Sequence, residues 1–115
     1  MAGADDFREI ALSLPDAIES SHMGHPDFRA NGRIFASLTT AEDWGVVMIT
    51  PEEQKELIDS DPDVFVPAAG AWGRQGCTKI WLAAANRADV RGALTLAWER
   101  IVTLPTPRKS RSKKR

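Results

Sequence analysis

The sequence predicts a small α+β domain in which helices back an antiparallel sheet. Three observations carry this. The 115 residues are enough for one hydrophobic core and too few for two. Helical and strand-like apolar periodicities follow one another as helix, hairpin, strand, helix, long loop, strand and helix, without the βαβ alternation of a doubly wound sheet. Asn31 and Gly32 sit between two strand-like runs, and an Asn-Gly pair readily adopts the positive φ angles of a type I′ hairpin turn.

Each element has its own signal. Phe7, Ile10, Ala11 and Leu14 fall on one helix face, with Asp5 and Asp6 suited to its N-terminal end and Pro15 ending it. The hairpin spans His25 to Thr39. Trp44 to Ile49 is apolar on both faces and predicts a covered strand. Thr50-Pro51-Glu52-Glu53 is a capping box with proline at the first helical position, opening a helix that runs to about Ser60. Asp61 to Gly76 is broken by Pro62, Pro67 and Gly70 and predicts a long ordered loop. Ile80 and Leu82 alternate with Lys79 and Trp81 in a strand over Thr78 to Ala83. Asn86 caps a last helix whose stripe of Val90, Leu94, Ala97, Trp98 and Ile101 ends near Pro105. Phe7, Ile10, Leu14, Leu94, Trp98 and Ile101 are the expected core against the sheet. The domain is therefore placed at residues 1–105, with a disordered basic tail at 106–115.

The net charge of −1 hides an asymmetry. Arg108, Lys109, Arg111, Lys113, Lys114 and Arg115 are six cations with no acid among them; fifteen basic residues less these six leave nine, against sixteen acidic ones, so the body is near −7. Such a body argues against a nucleic-acid grip spread over the whole folded surface. The acidic N-terminus and the lack of a long apolar run give no export signal and no membrane span. One cysteine, Cys77, cannot form an internal disulfide, so a cytoplasmic location is expected.

No residue pattern marks catalysis or a cofactor. His22, His25 and Cys77 are metal-ligand types, but the spacing is not the helical zinc pattern and only one thiol is present, so no metal is expected. Cys77 with His25 as nucleophile and base lacks a marked orienting acid or oxyanion site. Glu52 and Glu53 are explained by the helix start, and Asp61 and Asp63 flank a turn proline. Gly70, Gly73 and Gly76 match neither a phosphate loop nor a dinucleotide fingerprint.

Across a two-residue turn Ala30 opposes Arg33, Arg29 opposes Ile34 and Phe28 opposes Phe35, each pair on one face. Ile34, Ala36 and Leu38 then face away from the two phenylalanines. With helices on the first set, the segment Val64 to Gly76 is left to cover the second, which brings Trp72 and Arg74 near the hairpin. That cover is either a second small core or the wall of a ligand cleft. For nucleic acid the body offers Arg29, Arg33, Arg74 and Lys79, with Trp81 on the face of Lys79; ordinary solvated or ion-paired roles are the competing explanation.

The stretches Leu12 to Leu38 and Gly45 to Ala83 closely resemble the MmcQ/YjbR family of small bacterial proteins. The likeness covers about residues 7–104 and rests on a combination in order: Gly-His-Pro-x-Phe-Arg at 24–29, Thr-Pro-Glu-Glu at 50–53, and Pro-x-x-Gly-x-Trp-Gly-x-x-Gly at 67–76. It implies a CyaY-like fold of a two-layer, double-wing kind, and a DNA-binding role that rests on fold-level analogy. It implies no catalytic, metal or cofactor residues. The matched positions that would shape the shared surface are His25, Phe28, Arg29, Arg33, Trp72, Gly73 and Arg74; the basic tail lies outside the likeness. The expectation is thus a non-enzymatic protein that binds double-stranded DNA. The alternative is a module for a small ligand or protein, using a pocket between the hairpin and the Trp72 segment.

Overall fold

Helix α1 (Ala4–Ser13) leads into strands β1 (Ile18–His22), β2 (His25–Ala30), β3 (Arg33–Leu38) and β4 (Trp44–Met48). Helix α2 (Pro51–Ser60), strand β5 (Phe65–Pro67), helix α3 (Gly70–Arg74), strand β6 (Cys77–Trp81) and helix α4 (Arg87–Val102) complete the chain. The structure is a computed structural model that describes residues 2–104; the tail expected at 106–115 lies outside the described residues. The six strands form one sheet in the order β1-β2-β3-β4-β6-β5, and every neighbouring pair is antiparallel. The α+β class expected from the sequence is the class observed. No described helix is long and apolar enough to cross a membrane.

The local signals act as read. Thr50 accepts from the backbone N–H of Glu53 at 3.1 Å while the Glu53 carboxylate accepts from the N–H of Thr50 at 3.1 Å, closing the capping box of α2. Asn86 and Asp89 make the same reciprocal pair at the start of α4, 2.8 and 3.1 Å. Asn31 and Gly32 take φ of 54° and 73°, so the β2–β3 turn has both central residues left-handed, as a type I′ turn requires.

Helices α1 and α4 pack on each other and on the sheet, α4 crossing β2, β3 and β4. Phe7, Ile10, Leu94 and Ile101 are buried as expected, whereas Leu14 and Trp98 are only half-buried. Trp98 sits at the edge of the core because its indole N–H donates to the carbonyl of Pro15 at 2.9 Å, and that polar end keeps the ring near the surface.

The hairpin register departs from simple alternation. Ala30 opposes Arg33 and Arg29 opposes Ile34, but Phe28 then pairs with Ala36, leaving Phe35 as the extra residue of a bulge. The expected Phe28–Phe35 pair therefore does not form. The added residue returns Ala36 and Leu38 to the face of Phe28, and both phenylalanines enter the main core. Phe28 meets the Phe7 ring edge-on, centroids 5.8 Å apart. A second cover from the Val64–Gly76 segment is thus not needed for them.

Two further elements correct the sequence reading. A hairpin precedes the expected one, with β1 paired to β2 through a turn at Met23 and Gly24, both at positive φ. Strand β1 is polar apart from Ile18, as an edge strand tolerates, and so it shows no apolar alternation. The long loop resolves into the three-residue β5 and the five-residue α3, each too short for a readable period.

Candidate functional site

A cleft of about 730 Å³ opens where the ends of β3, β4 and β6 meet α3 and the last turn of α4. Arg33 and Ile34 come from the start of β3, with Ser37 further along it and His25 from β2. Met48 and Ile49 close β4. Ala68, Ala69, Trp72 and Gln75 belong to the segment around α3, Cys77 begins β6, and Arg100 and Ile101 end α4.

Hydrogen bonds from three residues hold these walls in register. The Asn31 side-chain amide donates to the carbonyls of Ile101 and Leu104 at 2.9 and 3.0 Å, tying the hairpin tip to the C-terminal end of α4. This brings Arg33 and Arg100 to one opening. On the other wall, the Gln54 amide of α2 donates to the carbonyls of Gly73 and Cys77, both at 3.0 Å, fixing α3 against β6. The N–H of Ala68 also donates to the Cys77 carbonyl at 2.9 Å. Gly73 is buried, and a Cβ placed there would lie 1.9 Å from the carbonyl oxygen of Ala68, so only glycine permits this approach.

The chemistry of the lining is uneven. Two guanidinium groups, Arg33 and Arg100, share the cleft, and no carboxylate is among the described residues that line it. Arg33 is half-buried and Arg100 exposed. Trp72 is 67% exposed, the largest apolar side chain left open on this rim. Ile34, Met48 and Ile101 give the floor an apolar character. Burial pushes the Cys77 thiol pKa up, so the thiol stays protonated where a nucleophile would have to be a thiolate.

The structure brings together three of the sequence-predicted site residues, His25, Arg33 and Trp72, in the position expected for a pocket between hairpin and Trp72 segment. Phe28 is not a surface residue; it is fully buried in the core for the register reason given above. Arg29 does not line the cleft. Its guanidinium grips the fully buried Asp27 carboxylate through two contacts, 2.7 and 3.1 Å. Gly73 shapes the wall without presenting a side chain, and Arg74 is exposed outside the lining. Arg108, Lys109, Arg111, Lys113, Lys114 and Arg115 lie outside the described residues. Lys79 stands 4.3 Å over the Trp44 ring, which in turn lies 4.8 Å from Trp81, on the face of β4 and β6 that Met48 and Cys77 share, further along the strands from the cleft.

Arg100 was invisible as a site residue from the sequence, where it reads as one more charge in the last turn of a helix. The available signal was Asn31, whose turn position leaves its amide free to cap a neighbouring helix end. No group of three or more His, Cys, Asp or Glu that could hold a metal ion occurs among the described residues.

The comparisons place this geometry in a known fold. Among curated proteins none matches the chain. The crystal structure of Deinococcus radiodurans protein DR2400, a DUF419 domain, superimposes with a TM-score of 0.74 at 18% identity, covering 98% of this chain and 84% of that one. At that identity the likeness concerns the fold. The sequence profile of the YjbR family matches residues 12–100, a span from the end of α1 to the last turn of α4, and the chain therefore belongs to the YjbR family.

Proposed function

We propose that this domain is a binding module without catalytic activity, and that its cleft takes an anionic group attached to an apolar or aromatic body. The observation that carries the reading is that Arg33 and Arg100 line one cleft with no carboxylate among its described lining residues, together with the exposed ring of Trp72. Guanidinium forks suit carboxylate, sulfonate and phosphate oxygens, and the apolar floor favours a ligand that is not a bare ion. The volume falls within the range of roughly 300–1,000 Å³ usual for small-ligand sites. The raised pKa of the Cys77 thiol supports a role in binding over one in nucleophilic chemistry.

Double-stranded DNA is the second reading, favoured by the six cations between Arg108 and Arg115. Within the folded body, Arg29 is engaged by Asp27 and Lys79 is seated over Trp44.

The test is a fluorescence titration of the full chain with anilinonaphthalene sulfonate, an aromatic anion. The proposal expects saturable one-to-one binding that falls by at least about ten-fold in the Arg33→Ala, Arg100→Ala double variant, or about 1.4 kcal/mol. Equal binding by the folded double variant would remove the cleft from consideration.

A further inference from the structure

We infer that the group recognised in the cleft is a nucleoside monophosphate unit, its base stacked on Trp72 and its phosphate held by Arg33 and Arg100. This rests on the anion-binding reading above and makes its ligand specific.

Three features narrow the class. Trp72 is one of four described residues with large apolar side chains left exposed, and it alone of the four lines this cleft. An indole kept in water at a cleft mouth offers a flat face that a planar ring can cover, and stacking on it needs no hydrogen-bond code. The α3 wall carrying the ring is fixed by Gln54 and by the close packing of Gly73 on Ala68, so the platform is preorganised. Arg33 and Arg100 line the same cleft, and the Asn31 bridge ties the hairpin that carries the one to the helix end that carries the other. A ligand in the cleft therefore meets a ring-binding surface and two forked cations, the two recognition elements of a nucleotide.

A free nucleotide and one nucleotide of a single strand present the same chemistry.

Calorimetric titration of the full chain with thymidine monophosphate, deoxyribose phosphate and an oligothymidylate of about six nucleotides tests the inference. Thymidine monophosphate should bind at least about ten-fold tighter than deoxyribose phosphate. Trp72→Ala should erase that preference, and Trp72→Phe should restore part of it. A base that adds nothing, or a preference that survives Trp72→Ala, overturns the nucleotide assignment. If deoxyribose phosphate and anilinonaphthalene sulfonate still bind through Arg33 and Arg100 in that case, the broader anion reading stands. If the Arg33→Ala, Arg100→Ala variant binds all of these probes as well as the parent, both readings fall. Tighter binding of the oligomer with a steep salt dependence identifies the strand as the source, whereas equal affinity identifies the free nucleotide; either supports the shared chemistry.

Discussion

The side-chain amide of Asn31, at the tip of the β2–β3 turn, donates to the carbonyls of Ile101 and Leu104 at the end of α4. One residue thus does two jobs: its positive φ makes the turn, and its amide adds a donor to carbonyls at the helix end, that of Ile101 also accepting from the Leu104 N–H at 3.3 Å. Asn31→Gly separates them, keeping the backbone conformation while removing both donors. A loss of about 1–3 kcal/mol in urea denaturation is expected, together with weaker binding in the cleft as Arg33 and Arg100 lose their common frame. Unchanged stability would mean that the bridge contributes nothing in solution.

Buried edge-on against Phe7, Phe28 should cost about 3–5 kcal/mol when changed to alanine. A near-neutral midpoint in chemical denaturation would contradict that burial.

Arg29 is a structural residue in this account, since its guanidinium is occupied by the buried Asp27 carboxylate, which holds its pKa above the ordinary value. Arg29→Ala should lower the melting temperature and leave anilinonaphthalene sulfonate binding unchanged. The reverse outcome, intact melting with weakened binding, would make Arg29 a ligand contact.

Cys77 lines the cleft at 8% exposure and its thiol pKa is raised by burial. A raised folded-state pKa stabilises the protein fully below the ordinary thiol pKa, and that contribution is lost as pH rises through the higher folded value. Iodoacetamide should therefore react slowly at neutral pH, by about ten-fold or more against a free thiol, and speed up only above the usual thiol range near pH 8.5. Ligand in the cleft should slow it further. Fast alkylation at neutral pH would show an accessible thiolate and reopen the question of nucleophilic chemistry.

Much of the fold was legible because its signals are local. Thr50 and Asn86 announce helix starts through groups three residues away, and Asn31-Gly32 announces a turn by itself. The polar strand β1 and the five-residue α3 carry no such signal, because their structure comes from pairing and packing partners distant in sequence. The site was half legible for the same reason. Trp72 lines the cleft with Arg33 and Ile34 of the hairpin, whereas the simple alternation that predicts such a neighbourhood is cancelled by the Phe35 bulge. Arg100 entered only through a contact spanning the chain from Asn31 to Ile101.

The central claim, that the cleft between the hairpin and Trp72 takes an anionic aromatic ligand, is tested most directly by heteronuclear NMR of the full chain titrated with anilinonaphthalene sulfonate. Shifts should concentrate at His25, Arg33, Ile34, Trp72, Gln75, Cys77 and Arg100, with the Trp72 indole N–H among the largest. Shifts confined to residues 105–115, or centred on Trp44, Lys79 and Trp81 at the other end of β4 and β6, would contradict it.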